Sequence, residues 1–270
     1  MYATHLWYES QEPLYFASSL GKPVATLKRA VNTVQRRPQK RLLWQPVKQG
    51  NILYKGDTIR TLADARGTVR LNGSNIEIFL DPDSLITLEK TKEGVTLDLL
   101  SGNLDIKKID KQTKASKVDK NIAEESQTGG LTIKSGSSKI EIVDNKTELS
   151  LGVDKAGKTS VTVSRGEARV ESVRGRVVKL EKGKSGEIGK RGSIKKAQAI
   201  LALFPKRGAV VDLGQKSSKT IKFRFSGIED KKADVFLELG NTKETLQQRK
   251  LAQGSQTGTA SINIGDFYWR

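Results

Sequence analysis

The chain has 270 residues, 36% of them hydrophobic and 6% aromatic, with no cysteine, one histidine and a formal net charge of +18. That length suggests about two domains, each large enough to bury a core. The missing cysteines exclude a disulfide framework and thiolate metal sites, the lone His5 excludes His-based acid–base chemistry and His-rich metal centres, and no apolar run reaches the roughly 18 residues a bilayer-spanning helix needs.

Residues 1–22 read as a segment apart, a strap along the first sheet or a short membrane-proximal helix with interfacial Trp7, Tyr8, Tyr15 and Phe16. They lack the pattern of a signal peptide, and the expectation is that a targeting or anchoring segment lies outside this sequence. Strands are expected at 24–27, 31–34 and 41–44, with Trp44 as a core plug. From Gly50 to Leu88 short alternating strands are separated by turn dipeptides at Gly56-Asp57, Asn72-Gly73 and Asp81-Pro82, a pattern of antiparallel or coiled β-structure. In the Gly-Asp turn the Asp57 side chain is expected to cap its own backbone.

Residues 107–130, rich in Lys, Ser, Gln and Gly, read as an exposed mobile loop between two halves. Alternating stretches return at 131–136, 147–151, 159–170 and 178–183. A boundary is expected at Gly189-Lys190-Arg191-Gly192, with a short helix or strand at 193–203. Strands then follow at 209–213, 221–225, 235–239 and 261–264. That last part is similar to a fibronectin type III-like or immunoglobulin-like sandwich, but with four or five visible strands where about seven are needed, so a minimal or truncated sandwich is expected.

The stretch holding Leu53, Gly56-Asp57, Ile59-Arg60-Thr61, Val69-Arg70-Leu71, Gly73-Ser74 and Ile76-Glu77-Ile78 resembles a FecR domain, an extracytoplasmic bacterial β-module. A strand-Gly-strand unit at 96–106 and the stretches after Leu131 extend the resemblance over residues 23 to about 190. It implies a stack of short strands, solenoid- or sandwich-like, and a role in partner binding, sensing or scaffolding in the periplasm or cell envelope. The cytoplasmic sigma-regulating segment and transmembrane helix of the iron-uptake signalling type do not precede it in this sequence.

Charge is concentrated in two blocks. Residues 22–60 carry ten Lys or Arg against Asp57 alone, and residues 155–207 carry fifteen against four acids, which leaves the rest of the chain near neutral. One reading is a polyanion surface for wall polymer, anionic lipid head groups or nucleic acid, built from Lys28, Arg29, Arg36, Arg37, Lys40, Arg41, Arg165, Arg169, Arg174, Arg176, Lys195 and Lys196. The plainer reading is a solvated β-surface whose cations guard strand edges. Nucleic acid is disfavoured, because the basic blocks lack the aromatic pattern of an RNA-recognition or oligonucleotide-binding barrel.

Residues 152–159 match the phosphate-loop pattern G-x-x-x-x-G-K-[ST], but a β-branched alternating stretch follows where that chemistry needs a helix, so a hairpin turn is expected. Carboxylate pairs such as Asp81 with Asp83, or Glu124 with Glu125, suit turns and solvated loops. The expectation is an all-β, elongated, non-enzymatic protein with no cofactor: residues 1–22, a FecR-like region at 23–190 and a partial sandwich at 191–270. Its expected partner is an envelope protein or an anionic wall polymer. A membrane is expected only through an anchor outside this sequence, and an oligomer through edge strands is compatible with the pattern.

Overall fold

The computed structural model describes residues 23–91, 94–108, 130–136, 138–142, 146–199, 201–204, 217–227, 232, 234–240, 247–255, 257–263 and 268–269. The expectations for residues 1–22, His5, Glu124 with Glu125, most of the 107–130 loop and the strand at 209–213 lie outside them. Among the described residues every regular element is a strand, so the protein is all-β.

A long strand, β9 (Gly94–Lys108), organises the first seventeen. Its N-terminal half pairs with β8 (Leu85–Thr91) and, in parallel, with β10 (Gly130–Ser135). Its C-terminal half pairs with β7 (Ile76–Leu80) and β12 (Glu148–Val153). The connected ladder therefore divides into two sheets with β9 in both. The first sheet runs β4 (Ile52–Tyr54), β1 (Pro23–Val31), β6 (Arg66–Leu71), β7, β9, β12, β13 (Thr159–Arg165), β16 (Lys184–Ile188) and β17 (Ile194–Gln198). The second runs β3 (Gln45–Pro46), β2 (Val34–Arg37), β5 (Thr58–Thr61), β8, β9, β10, β11 (Ser138–Ile142), β14 (Glu167–Ser172) and β15 (Val177–Glu181).

One continuous cluster of Leu, Ile, Val and Ala fills the space between these sheets and draws on both halves of the chain, from Leu27 and Leu53 to Leu180 and Ile194. Period-2 alternation makes this possible: Val69 and Leu71 of β6, or Ala168 and Val170 of β14, point inward while their neighbours face out. Fully burying each Leu or Ile contributes roughly 1.5–3 kcal/mol.

Two corners correct the expected strand pattern. Residues 31–34 do not form one strand, because Asn32 takes φ 56° and its Nδ2 donates to the Asp64 carbonyl at 2.7 Å, turning the chain from the first sheet to the second. The Gly-Lys-Arg-Gly stretch at 189–192 joins β16 to β17, so the first unit continues through Gln198. Past it, β18 (Leu201–Phe204), β19 (Ser218–Ser226) and β22 (Thr257–Asn263) form one three-stranded sheet. A second is formed by β20 (Asp234–Gly240), β21 (Gln247–Gln253) and β23 (Tyr268–Trp269). Phe223 and Phe225 of one pack with Val235 and Leu237 of the other, a small sandwich with its own core.

Two local features hold the larger unit in shape. At Gly102, φ 87°, β9 passes between the sheets; a Cβ there would lie 2.5 Å from Ser84 Cα and 2.6 Å from the Asp83 carbonyl oxygen. Asp57 caps its turn as expected, accepting the Tyr54 N–H at 2.9 Å, and it is also buried against Arg36, whose Nη1 lies 3.5 Å away. Burial raises the Asp57 carboxyl above its ordinary 3.8, opposed by the Tyr54 N–H and the Arg36 charge.

Gly102→Ala is expected to cost about 3 kcal/mol in urea unfolding at constant m-value, from backbone strain and overlap together. Gly73→Ala, with φ 72° but nothing within 4 Å, should cost only about 1 kcal/mol.

Because the folded chain binds the Asp57 proton more tightly than the unfolded chain, this group favours folding most below pH 3.8 and progressively less as pH rises through its folded-state value. The stability of wild type minus that of Asp57→Asn, measured from pH 3 to pH 6, should therefore fall with rising pH; a rising difference would contradict the assignment.

Candidate polyanion interface

In the second half of the large unit, successive hairpins are dealt alternately to the two sheets. β10–β11 lies in the second sheet, β12–β13 in the first, β14–β15 in the second and β16–β17 in the first. Each hairpin begins with a strand running toward the same end, so all four turns gather there. The packing confirms the gathering: a Cβ built on Gly136 would lie 3.5 Å from the Gly157 carbonyl oxygen, one on Gly157 would meet the Lys190 side chain, and one on Gly192 would lie 3.2 Å from Arg174 Cγ. Ser135 and Thr159 hydroxyls, 3.1 Å apart and buried, tie the first turn to the second across the sheets.

The turns are tight because glycine takes the left-handed conformation in each. Gly157 donates to the Asp154 carbonyl at 2.9 Å, Gly175 to Ser172 at 2.8 Å and Gly192 to Gly189 at 2.8 Å. A tight turn exposes its remaining side chains, and the cations among them here are Lys155, Lys158, Arg174, Arg176, Lys190 and Arg191. Three acids lie in or beside these turns, among them Glu171, which stands opposite Lys139 and Val177 in the ladder. Asp154 accepts the Lys158 backbone N–H at 2.8 Å, and Glu187 pairs with Lys158 Nζ at 2.7 Å. The other five cations project from turns with no further acid among these turn residues.

The residues named from sequence fall into different settings. Arg174 and Arg176 belong to this basic end. Arg165 lies opposite Glu148 in the ladder, its Nη1 3.6 Å from that carboxylate, and Arg169 lies between Glu141 and Lys179 on a sheet face threaded with acids. On that face Lys139 hydrogen-bonds Glu141 and holds its carboxyl below the ordinary range, while Glu167, first by hydrogen bond and then by charge, holds the Lys179 ammonium above its own. Lys195 and Lys196 lie exposed on β17, which pairs with β16 alone among the described strands, as edge-guarding lysines do. Lys28 and Arg29 are both exposed because the β1–β6 register slips between Leu27 and Arg29.

The first basic block splits in two. Arg36 turns inward: Nη1 donates to the Ile52 carbonyl at 2.9 Å and faces Asp57, so it is a structural residue. Arg37 ends β2, and Lys40 and Arg41 lie on the connection between β2 and β3, where residues 41–44 form a loop and not the expected strand. Trp44 is half-buried and no core plug. Its ring is clasped between guanidinium groups, Arg60 at 4.1 Å and Arg37 at 5.0 Å from the centroid.

Sequence reasoning missed the grouping of Lys155, Lys190 and Arg191 with Arg174 and Arg176. The available signal was the recurrence of Gly136, Gly157, Gly175 and Gly192 at matching places in successive hairpins. The phosphate-loop letters at 152–159 form one of these turns, bracketed by β12 and β13, and the Asp154 N–H donates to the Lys158 carbonyl at 3.1 Å. A phosphate cradle needs a helix N-terminus at that point. No group of three or more potential ligands suited to a metal ion occurs among the described residues.

No protein-family model matches the chain, and no curated protein matches it.

The hairpin geometry predicts that saturating magnesium-ATP leaves the melting temperature within about 1 °C of the nucleotide-free value; a rise of several degrees would mean that the 152–159 turn rearranges into a nucleotide site.

Proposed function

We propose that this chain is a non-enzymatic binding module of the bacterial cell envelope, FecR-like over residues 23 to about 190, whose basic turn end holds an anionic wall polymer. The observation that carries the reading is the gathering of Lys155, Arg174, Arg176, Lys190 and Arg191 on three adjacent tight turns. Cations fixed on turns give up little conformational freedom when they meet a polymer of regularly spaced charge. On the faces of β11–β14 and β12–β13, by contrast, Arg169 and Arg165 stand opposite Glu141 and Glu148 in register, so their field is largely cancelled at short range. The extracytoplasmic setting rests on the resemblance around Gly56-Asp57.

A second reading, a protein partner sensed or scaffolded at the same end, is favoured by Val173 and Val177, which flank Arg174 and Arg176 and are 66% and 43% exposed. Salt separates the two, since polyanion binding weakens steeply with ionic strength and a packed apolar contact does not.

Co-sedimentation of the full chain with purified wall sacculi across a salt series tests the proposal. R174S/R176S/K190S/R191S should bind at least about tenfold more weakly at low salt and show a shallower salt dependence, each lost charge removing up to about one unit of log–log slope. Equal binding by wild type and this variant would sink the assignment.

A further inference from the structure

The connection between β2 and β3 presents a feature unrelated to the turn end. Leu42 and Leu43 are 90% and 78% exposed, among the most solvent-exposed large apolar side chains of the described residues. They stand at the tip of a well-anchored loop. Pro38 at its start is buried, and the Arg41 N–H closes a turn onto the Pro38 carbonyl at 3.0 Å, with Lys40 at φ 64°. The Gln39 side chain lies over Gly56, where a Cβ would come within 2.6 Å of it. At the other end Trp44 is held between Arg60 and Arg37. A loop braced at both ends keeps its two leucines in water because of its own geometry and not through disorder.

Charge adjoins the tip. Lys40 and Arg41 immediately precede the leucines, and residues 23–56 contain no Asp or Glu. Trp44 with its two guanidinium groups follows directly. Exposed leucines next to a cation pair and an indole among guanidinium groups are the set that suits the boundary of an anionic bilayer, with leucines among acyl chains, Lys and Arg at the phosphates and Trp at headgroup level.

We propose that the β2–β3 loop docks the protein on an anionic lipid bilayer, with Leu42 and Leu43 inserted below the headgroups and Lys40 and Arg41 against lipid phosphates. A soluble anionic polymer would answer the cations and leave the leucines in water; the contiguous leucines select the lipid surface.

The test is flotation of the full chain with vesicles of phosphatidylglycerol and phosphatidylcholine, and with vesicles of phosphatidylcholine alone. Wild type should float with the anionic vesicles. L42S/L43S, a change confined to exposed positions, should weaken that binding by roughly tenfold or more while retaining its salt dependence. K40S/R41S should flatten the salt dependence. In a W7F/W269F background, the Trp44 emission should shift to the blue on adding anionic vesicles and lose that shift in L42S/L43S. Binding of L42S/L43S equal to wild type, or no binding of wild type to anionic vesicles, overturns the proposal. So does a wild-type dimer that L42S/L43S dissolves in the absence of vesicle binding, which would assign the leucines to a second copy of the chain. The turn-end variant R174S/R176S/K190S/R191S should keep its vesicle binding, which separates this surface from the polymer-binding end.

Discussion

Strand β9 carries the constraint on which the large unit depends. It is hydrogen-bonded on both sides along nearly its whole length, first within one sheet and then, beyond Gly102, within the other. The corner has to be made in very little space, because the backbone of Asp83 and Ser84 occupies the volume a side chain would fill. Leu97 and Leu99 face the core before the corner, Leu104 and Ile106 after it, and all four are buried. A single strand therefore sets the separation of the sheets and joins the two halves of the chain into one apolar core.

The alternate dealing of hairpins follows from the same architecture. With two sheets to complete and short connections between strands, the chain places one hairpin on one sheet and the next on the other, bringing every hairpin turn of the second half to one end. Strand faces and turns then differ in electrostatic character. Facing strands set Arg165 opposite Glu148 and Arg169 opposite Glu141, so charge is paired there across the ladder. Turn residues have no ladder partner, and charge placed there accumulates instead of pairing. The uneven charge of the chain thus becomes a basic end and a basic, leucine-tipped loop.

The pair Arg36 and Asp57 shows why a basic residue cannot be assigned from its neighbours in sequence. Arg36 and Arg37 are adjacent in β2, and alternation sends one toward the Gly-Asp turn and the other toward Trp44. One holds the fold and the other holds a loop. Nothing in the dibasic pair distinguishes them until β2 is in register with β5.

Period-2 alternation and turn glycines made the all-β class, the hairpin nature of residues 152–159 and the capping role of Asp57 legible from the chain alone, because these depend on near neighbours and on φ. The phase slip between Leu99 and Leu104 also marks the β9 corner in the sequence, once the corner is known. The strand expected at 41–44 failed because its apolar residues belong to an exposed loop and to a cation-clasped Trp. The boundary expected at 189–192 sits on a hairpin turn, since a Gly-rich break looks the same between domains and between strands. The kind of element and the excess of positive charge follow from the order of residues alone. Which sheet received each hairpin, which cations met acids and which met solvent was settled in the folded chain, because those outcomes depend on register between strands far apart in sequence.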